Sequence, residues 1–375
     1  MLLAVLNAGS ATVKAALVEV DGAQTRIRWR QSRDLDRAGG ARAAFAAILE
    51  SLGSQRDGID AVGHRVVHGG NRFTEPVRVD ASVEAAIEAL SPLAPLHNPP
   101  ALEGLRVARE QLPDRPAVAV FDTAFHARRA PESLRYPLAW DLCEELGLYR
   151  YGFHGIAHAS LIESLAAAER TGPDETCAVT LQLGAGCSAC AVENGGSIET
   201  SMGFSPLGGL PMATRSGDLD PGIPLALLRR GHDAAQVEDL FTRRSGLLGM
   251  AGSADLREVL AAAAAAGGGA RARVAVALFV RRIVALTGAY FTLLGGRGAL
   301  VFGGGIGTHS AEIRRRVADG LAAWNVTLDP ARNAAGEPGR ISVESSRPVY
   351  VFETDEESQI ARSAARLIES EPLRR

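Results

Sequence analysis

The chain uses one short structural plan twice: a buried strand runs into a turn of small residues, and a second apolar strand follows. In the first copy, residues 2–6 and 15–20 have the pattern of buried strands, and in the second copy residues 177–183 and 187–192 have it. The second copy continues into Asn194-Gly195, a strong signal for a hairpin turn. The two copies are only weakly similar as sequences. Their shared plan nevertheless predicts two related halves that face a common cleft.

Strand-like and helix-like patterns alternate over the rest of the chain, which favours an α/β fold. The 375 residues are enough for two domains of about 100–200 residues each. Further strands are predicted at 61–67, 117–121 and 299–302, and helices at 81–90, 101–111, 255–266, 271–294, from 310 onward and at 357–370, with a proline-rich connection at 91–100.

The composition of the chain argues against several classes of protein. A net charge of −3 does not supply the basic surface that non-specific nucleic-acid binding needs. The first residues lack the basic and apolar regions of a signal peptide. The longest apolar run, 274–294, is interrupted by Arg281 and Arg282, so we expect a buried helix rather than a membrane span. We therefore expect a cytoplasmic enzyme with neither a nucleic-acid nor a membrane partner.

Possible metal ligands are present but do not form a convincing site. Four cysteines in a chain of this length are typical of reduced thiols, and the C-x-x-C pair at 187–190 has no second pair to complete four zinc ligands. His64 and His68 are four residues apart, as are His154 and His158. Neither pair carries the Glu of a zinc protease. We expect no zinc at these positions.

Lys14 is the only lysine among 40 lysine and arginine residues. Lysine is a compact point charge with rotatable donors, whereas arginine is a broad planar fork. Lys14 ends the small-residue turn 7–14, in which backbone N–H groups and hydroxyls can surround phosphate oxygens while the ammonium adds a mobile charge. We interpret this turn as a phosphate site. The alternative is an ordinary exposed lysine.

Two further glycine-rich segments are candidates for phosphate or nucleotide contacts. Gly184 and Gly186 match the dinucleotide fingerprint G-x-G-x-x-A, but a predicted strand rather than a helix follows them. We therefore expect no dinucleotide fold there, although the turn can bind phosphate through its backbone. Segment 303–307 lies between a predicted strand and a predicted helix, which fits a nucleotide-contacting loop. A tight structural turn is the alternative.

Two arginines have unusual surroundings. Arg65 lies in an apolar segment bounded by glycines, and Arg215 lies in the long loop 201–221, which is rich in Gly, Pro and Met and could line an active site. Two guanidinium groups that converge on one cleft suit a carboxylate or a phosphoryl group in transfer. The alternative for each arginine is a structural salt bridge.

Taken together, these motifs occur in the order found in acetate kinases, which the chain resembles over nearly its whole length. The stretches 63–70 and 214–221 are the most specific to that family. The resemblance implies two duplicated actin-like ATPase domains, ribonuclease H-like in fold, with a central nucleotide cleft. It implies an N-terminal acyl-kinase domain at 1–124 with a returning helix at 359–375, and a nucleotide-binding domain at 125–358. The matching segments are 7–14, 63–70, 95–99, 121–126, 151–155, 200–221, 303–307 and 354–357.

The resemblance also implies a role for each candidate residue. The catalytic group would comprise Arg65 and Arg215, which hold the acyl carboxylate and the transferring phosphoryl group, His154, which donates to the equatorial oxygens, and Asp122. Residues facing the phosphates would be Asn7, Ser10, Thr12, Lys14, Gly184 and Gly186. Ribose and adenine would meet Asp255, Arg257, Gly303, Gly304, Gly305, Ile306 and Gly307. Mg²⁺ would be organised by Asn7, Asp122 and Glu356, and the substrate's methyl group would lie among Val67, Leu96, Phe153 and Pro206.

The implied activity is that of an acetate kinase, a phosphotransferase with a carboxyl group as acceptor. It would transfer the γ-phosphoryl group of ATP reversibly to acetate, with Mg²⁺ as cofactor and Mn²⁺ as an alternative, and would form a homodimer. A carboxylate is already a charged nucleophile, so the chemistry needs positioning and charge neutralisation rather than a general base. The alternatives are a propionate or other short-chain acyl kinase, a kinase with a different phosphoryl donor, and a weakened relative that binds nucleotide without turnover.

The sequence departs from the family pattern mainly at nucleotide-facing positions. Gln182 and Ala185 stand where acetate kinases usually have His and Asn, Thr308 replaces a Glu, and Ala11 replaces a Ser. Gly208, Gly209 and Pro211 also differ from the common pattern. Every residue implied for the acyl site and the metal is present. We therefore expect catalysis to be retained and leave the choice of phosphoryl donor open.

Overall fold

A computed structural model describes residues 1–9, 12–22, 24–265 and 269–370 of the chain, so the predicted phosphate residue Ser10 lies outside the described residues. The chain groups into two compact units. Unit 1 consists of Met1–Arg128, Phe153–Ser160 and Asp355–Arg375, and unit 2 consists of Arg129–Gly152 and Leu161–Thr354. The domain boundaries inferred from the sequence (1–124 with 359–375, and 125–358) remain a prediction.

The strands and helices have the following bounds. The strands are Leu2–Ala8 (β1), Thr12–Asp21 (β2), Gln24–Asp34 (β3), Ala61–Val66 (β4), Val77–Arg78 (β5), Ala117–Phe121 (β6), Ala178–Leu183 (β7), Cys187–Glu193 (β8), Gly196–Thr200 (β9), Ala299–Gly303 (β10), Gly339–Arg340 (β11) and Val349–Val351 (β12). The helices are Leu35–Ala38 (α1), Ala41–Ser51 (α2), Ala81–Ala89 (α3), Asn98–Gln111 (α4), Pro131–Leu134 (α5), Trp140–Leu146 (α6), Gly155–Glu169 (α7), Gly222–Arg229 (α8), Ala234–Arg243 (α9), Gly246–Ala251 (α10), Leu256–Ala264 (α11), Ala270–Leu293 (α12), Gly304–His309 (α13), Ala311–Gly320 (α14), Pro330–Ala335 (α15) and Glu356–Ser370 (α16).

Unit 1 is built on a sheet with the strand order β3-β2-β1-β4-β6-β5. Strand β1 runs antiparallel to β2 and parallel to β4, and β4 runs parallel to β6. Residues of α2 and α4, such as Phe45 and Leu102, pack with one face of the sheet. Ile360 and Ala364 of α16 pack with the other face. Because helices cover both faces, β1 is a nearly continuous apolar run.

Unit 2 repeats the same arrangement with the strand order β11-β12-β10-β7-β8-β9. Strand β7 runs antiparallel to β8 and parallel to β10, and β10 runs parallel to β12. Each strand therefore has a counterpart of the same place and direction in unit 1: β7 corresponds to β1, β8 to β2, β9 to β3, β10 to β4, β12 to β6 and β11 to β5. The duplicated α/β fold predicted from the two weakly similar sequence copies is confirmed.

Three local features differ from the sequence predictions. Strand β3 was not predicted, because its apolar positions are few, although its residues alternate between half-buried and exposed. The predicted connection 91–100 ends early, since α4 begins at Asn98 and takes Pro99 and Pro100 into its first turn, where a missing N–H breaks no helical hydrogen bond. Segment 303–307 is not a loop, because Gly303 ends β10 and α13 follows at once.

The long apolar run forms helix α12, Ala270–Leu293, which by length and composition alone is apolar enough to cross a membrane, with a mean hydropathy of 1.7 in its most apolar window. Within unit 2 this helix packs against β8, α10, α11 and α14. Its buried residues, among them Phe279, Ile283 and Phe291, recur every three to four positions. The helix therefore contributes one apolar stripe to the core of unit 2, while Val274 and Leu293 are exposed.

Candidate active site

Polar side chains lie at the carboxyl ends of three adjacent parallel strands of unit 1. Asn7 is near the end of β1, Arg65 is near the end of β4, and Asp122 directly follows β6. Because the strands are parallel, these ends meet at one edge of the sheet, and Asn7 and Arg65 are register partners. Ligands of α/β sheets bind at this edge. The topology therefore marks these side chains as a candidate site.

Arg65 is the centre of this cluster. Its Nε donates to Asp122 Oδ1 (3.2 Å), its Nη2 donates to Asp122 Oδ2 (2.6 Å), and its Nη1 donates to Asn7 Oδ1 (3.1 Å). The Asn7 amide donates in turn to Glu356 Oε2 (3.2 Å), which lies 3.9 Å from Arg65 Nε. Only 13% of the Arg65 side chain and 1% of the Asp122 side chain are exposed. The structure thus brings together four of the predicted site residues.

Two carboxylates share one guanidinium in this cluster. Burial raises the pKa of the Asp122 carboxyl, although the charge of Arg65 opposes that shift. Burial acts in the same direction on Glu356, but the charges of Arg65 and His154 and the hydrogen bond from Asn7 hold its pKa below the ordinary value. Burial disfavours the charged form of Arg65, but the charges of the two carboxylates outweigh this effect and raise the pKa of Arg65. The guanidinium therefore stays protonated. The two buried carboxylates, together with the Asn7 amide oxygen, supply oxygen ligands that suit a cation.

His154 joins the cluster through a close approach of α7 to the end of β6. His154 has a φ of +59°, and the next residue, Gly155, donates its N–H to the carbonyl oxygen of Asp122 at 2.9 Å. A Cβ at position 155 would overlap that oxygen and lie 2.8 Å from Phe125 Cβ, so only glycine permits this approach. The charge of His154 also helps to hold the pKa of Glu356 below its ordinary value.

The predicted acyl-pocket residues of unit 1 differ in exposure. Val67 and Phe153 are buried, whereas Leu96 is 57% exposed. The ring of His68, the residue after Val67, meets the Phe153 ring edge-on, with the two centroids 5.5 Å apart. Val67 follows Arg65 by two residues, and Phe153 immediately precedes His154. Apolar side chains therefore accompany the charged residues at this edge of the sheet.

Asn98, which sequence reasoning missed, fixes the loop that carries Val67. Its Oδ1 accepts from the His68 N–H and its Nδ2 donates to the His68 carbonyl, both at 3.1 Å, and the residue is fully buried. In addition, the Gly69 N–H donates to Thr123 Oγ1 (3.0 Å) and the Gly70 N–H donates to His68 Nδ1 (3.0 Å). The only signal in the sequence was a polar residue inside the specific segment 95–99.

His64 and His68 are buried in the unit 1 core rather than placed for zinc. Burial lowers the pKa of His64 to about 3 and that of His68 to about 4, so both rings are neutral. His68 Nδ1 is an acceptor in its bond from Gly70, which also requires a neutral ring. Within the described ranges, no group of three or more His, Cys, Asp or Glu side chains is placed to share one metal ion.

The turn predicted at 7–14 is wrong at both ends, because Asn7 and Ala8 end β1 and Thr12 and Lys14 already belong to β2. The Gly9 N–H donates to the Thr12 carbonyl oxygen at 2.8 Å. Lys14 is exposed and is the register partner of Asn7, so their side chains share one face of the sheet with Cβ atoms about 5 Å apart. Alongside Arg65, the charge of Lys14 lowers the pKa of Glu356 against the effect of burial. Lys14 therefore belongs electrostatically to the carboxylate cluster.

In unit 2, the glycine turn between β7 and β8 is the counterpart of that first turn. The Gly184 N–H donates to the Gly186 carbonyl at 3.0 Å, and a strand follows, so the turn opens no helix, as predicted. Gln182, near the end of β7, accepts through Oε1 from Thr354 Oγ1 at 2.7 Å, and this hydroxyl accepts from the Gly304 N–H at 3.1 Å. Thr354 thereby orients the Gln182 amide.

Arg215 lies in the long loop of unit 2 and is only partly exposed. Its Nη1 donates to the carbonyl oxygen of Pro206 at 3.1 Å and lies 3.7 Å from Met212 Sδ. Burial lowers the pKa of Arg215. Among the residues that the structure describes, no carboxylate forms a salt bridge with Arg215. A half-buried cation without a carboxylate partner is a sign of a binding site.

The residues predicted to meet ribose have a structural role of their own. The Asp255 carboxylate caps α11 by accepting from the Arg257 N–H at 2.8 Å, and it pairs with Arg257 Nη2 at 2.5 Å. The helix predicted at 255–266 begins after Asp255, and residue 266, its predicted end, lies outside the described residues. The Arg257 side chain is 90% exposed, so the pair is accessible in unit 2.

The glycine segment 303–307 carries the chain from β10 into α13. Gly304 has a φ of +73° and binds Thr354 through its N–H. Thr308, which stands where the family usually has Glu, is buried and donates through Oγ1 to the Phe352 carbonyl at 3.2 Å. This side chain therefore fills the core of unit 2 and offers no charge to a nucleotide.

Comparison with known proteins gives a consistent result. The sequence model of the Acetokinase family matches residues 28–362. The acetate kinase of Micrococcus luteus is 43% identical over 385 residues, which cover 96% of this chain and 98% of that protein. The crystal structure of Porphyromonas gingivalis acetate kinase has a TM-score of 0.88 and 33% identity, covering 98% of this chain and 99% of that one. A propionate kinase from Francisella tularensis has a TM-score of 0.87 and 33% identity, covering 96% and 98%.

Proposed function

This chain belongs to the acetokinase family, and from that membership we propose that the unit 1 cluster around Arg65 is the place of phosphoryl transfer. Its activity is that of an acetate kinase, a phosphotransferase with a carboxyl group as acceptor and ATP as donor. The observation that carries the assignment is the two-point contact of Arg65 with Asp122, with Glu356 beside it, at the carboxyl edge of the unit 1 sheet.

In the reaction, a carboxylate oxygen of acetate attacks the γ-phosphorus of ATP. The new O–P bond forms as the bond from phosphorus to the ADP oxygen breaks, which gives acetyl phosphate and ADP and is reversible. No proton has to be removed from the nucleophile, so the main obstacle is the repulsion between two anions. Arg65 and Arg215 supply guanidinium groups for those anions, and His154 donates to the oxygens of the group in transfer.

The proposed magnesium ligands are Asp122, Glu356 and the amide oxygen of Asn7. Mg²⁺ prefers oxygen ligands and is usually held by one or two carboxylates together with substrate phosphates. These residues provide such a donor set, so the site fits the ion; Mn²⁺ suits the same donors. When bound, the ion would neutralise phosphate charge. Arg65 would meanwhile hold the Asp122 carboxylate in a fixed orientation.

Phosphate contacts are proposed in each unit, at the glycine-containing turn and at the strand ends that flank it. In unit 1 these contacts come from Asn7, Thr12 and Lys14, with Ser10 from the undescribed part of the turn. In unit 2 they come from Gly184 and Gly186, while Asp255, Arg257 and segment 303–307 serve the nucleoside. Because Thr354 donates to Gln182 Oε1, the Gln182 amide can offer its N–H donors to a phosphate. The neutral amide would thus take the place of the imidazole that acetate kinases usually have there.

The methyl group of acetate is proposed to lie against Val67 and Phe153 of unit 1, while Leu96 and Pro206 keep the role that the family resemblance implies for them. A single methylene changes discrimination between substrates by only about 1–3 kcal/mol. Propionate is therefore the second candidate, and the equal identity to an acetate kinase and a propionate kinase of known structure favours testing both. Acetate is the first choice because the curated relative at 43% identity is an acetate kinase.

The test is the formation of acyl phosphate from ATP, Mg²⁺ and either acetate or propionate, trapped as the hydroxamate. The wild type is compared with Arg215→Ala and with Arg128→Ala, which removes an arginine that is 77% exposed. We expect product from the wild type and the Arg128 variant, and almost none from the Arg215 variant. Product with pyrophosphate but not with ATP would assign a different donor. Tight ATP binding without product would assign a non-catalytic relative and overturn the proposal.

We also propose that the protein forms a homodimer and is located in the cytoplasm. The oligomeric state is proposed on the family resemblance, and the location on a sequence typical of cytoplasmic enzymes with reduced thiols. Sedimentation velocity of the purified chain distinguishes a dimer from a monomer. A monomer with full activity would show that assembly is not required.

A further inference from the structure

Lys14 offers a chemistry that no other side chain in the sequence offers. Of the 40 lysine and arginine residues it is the only lysine, so its ε-amine is the only side-chain amine. The guanidinium group of arginine remains protonated in proteins and is therefore not a nucleophile. A reagent that acylates amines has one side-chain target in this sequence.

The structure places this amine beside the candidate site of unit 1. Lys14 is exposed between the buried residues Val13 and Ala15 of β2, and it is paired with Asn7 across β1. Asn7 in turn contacts Arg65 and Glu356. The amine is thus accessible to solvent on the face of the sheet that carries the carboxylate cluster.

We propose that Lys14 is acylated by the acyl phosphate that this site forms, and that the modification switches the enzyme off. The proposal rests on the proposed function, because that function supplies the acyl phosphate. It assigns to Lys14 a second role besides phosphate contact: it is the residue through which accumulated product acts back on the enzyme.

The acylation step needs no further reagent. An acyl phosphate is a mixed anhydride with an activated carbonyl carbon. The unprotonated ε-amine attacks that carbon, the C–N bond of an amide forms, and the C–O bond to the phosphate breaks. Inorganic phosphate leaves, and the amine proton passes to phosphate or water. A lysine that contacts the phosphate end of this product also holds its carbonyl carbon close to the amine, which favours the reaction over the same reaction in bulk solution.

The consequence of acylation follows from the loss of charge. An acylated lysine is neutral and keeps one N–H donor in place of an ammonium with three. The phosphates lose a charged contact, and the carboxylate cluster loses one of the positive charges that act on Glu356. We expect kcat/KM for ATP to fall about tenfold or more in the modified enzyme. A rising concentration of acyl phosphate then limits its own synthesis.

The test uses the full-length wild type incubated with acetyl phosphate in the absence of nucleotide, with acetate plus inorganic phosphate as the control. Intact mass counts the acetyl groups, and trypsin locates them, because an acetylated Lys14 is not cleaved and peptide 1–26 replaces 1–14 and 15–26. The other amine is the N-terminus of Met1, which donates to the Val20 carbonyl at 2.9 Å. Its acetylation is distinguished from that of Lys14 because trypsin still cleaves after an unmodified Lys14. The Lys14→Arg variant, which has no side-chain amine, is the control for the intact-mass measurement.

The expected result is one acetyl group at Lys14 in the wild type and none on a side chain of the Lys14→Arg variant. Residual ATP-dependent hydroxamate formation should fall in proportion to the modified fraction, with KM for ATP raised more than KM for acetate. An unmodified Lys14, or an acetylated Lys14 with unchanged kinetics, would overturn the proposal. Because acetyl phosphate is added, acylation does not depend on turnover. A wild type that makes no hydroxamate would overturn the proposed function separately.

Discussion

Arg65 contacts both carboxylate oxygens of Asp122 through two parallel hydrogen bonds, Nε to Oδ1 at 3.2 Å and Nη2 to Oδ2 at 2.6 Å. The two residues are 57 positions apart in the chain and come from the ends of adjacent parallel strands. The contact leaves Nη1 to bind Asn7. One guanidinium therefore fixes the orientation of two of the three proposed magnesium ligands.

Replacing Arg65 by lysine tests this geometry while keeping the charge. Lysine cannot form the planar two-point contact, so we expect kcat to fall about 10²–10³-fold, the range typical for losing one preorganised donor. Steady-state hydroxamate assays measure this loss, and Arg42→Lys, at an exposed surface ion pair, is the matched control. If Arg65→Lys retained the activity of Arg42→Lys, the two-point contact would have no catalytic role.

Replacing Arg215 by alanine removes a half-buried cation that has no carboxylate partner among the described residues. We expect kcat to fall by about 10²–10³-fold, because no other group in its loop supplies the charge. We also expect the midpoint of thermal unfolding to change little, since the lost bonds go to the Pro206 carbonyl and to Met212. A large loss of stability with normal kcat would instead show that Arg215 is structural.

Replacing Gly155 by alanine tests the approach of α7 to the end of β6. The added Cβ would overlap the Asp122 carbonyl oxygen, which belongs to the backbone and cannot move alone. We expect a loss of about 1–3 kcal/mol in the free energy of unfolding, together with reduced kcat because Asp122 and His154 shift. Gly58→Ala is the control, since its Cβ would meet only Leu2 Cδ2 at 3.8 Å. Equal stability and activity in the two variants would contradict this packing.

Replacing Asn98 by aspartate removes the donor to the His68 carbonyl and keeps the side-chain shape. The loss of one buried hydrogen bond costs about 1–3 kcal/mol. Because Val67 precedes the residue that Asn98 holds, we expect the ratio of kcat/KM for acetate to that for propionate to change as well. The exposed Asn71→Asp change serves as the control. A drop in stability with an unchanged ratio would confine Asn98 to a structural role.

Acidification should destabilise the fold through His64 and His68. Their folded-state pKa values are about 3 and about 4, below the ordinary value of 6.5. Between pH 6.5 and those values the unfolded chain binds more protons than the folded one, so stability falls as the pH falls through that window. For His64 alone, the loss amounts to about 2 kcal/mol at pH 5.

Urea unfolding at pH 8 and pH 5 checks this dependence. Between pH 8 and pH 5, we expect the free energy of unfolding to fall by about 2 kcal/mol less in His64→Leu than in the wild type, because a leucine at that buried position does not titrate. The exposed His232→Gln change should leave the difference unaltered. An identical pH dependence in the wild type and the His64 variant would show that His64 is protonated in the folded state.

Much of the fold could be predicted from local patterns. Buried strands such as β1 and β7 are recognisable in the sequence as short apolar runs, because both faces of each strand are covered. The half-polar edge strand β3 could not be found in this way, since only Ile27 and Trp29 among its half-buried positions are apolar. The start of α4 was misplaced because prolines break helices everywhere except in the first turn.

For the candidate site, the sequence supplied the residues but not their partners. Arg65 stood out as a charge in an apolar, glycine-flanked segment, and Arg215 as a charge in a long glycine-rich loop. Nothing in either segment indicates that the first arginine pairs with Asp122, whereas the second has no carboxylate partner among the described residues. Asn98 was missed altogether, because a buried amide that binds backbone atoms 30 residues away leaves no local pattern.

The sequence by itself determined the alternation of strands and helices, the duplicated plan, the family resemblance and the identity of the charged residues, because these depend on residue type and spacing along the chain. The tertiary structure alone decided which charges meet. It set Asn7, Arg65, Asp122 and Glu356 within hydrogen-bonding or ion-pair distance. Parallel strands and the packing of α16 bring these residues together from distant parts of the chain, and contacts of that kind are decided by the global fold rather than by local sequence.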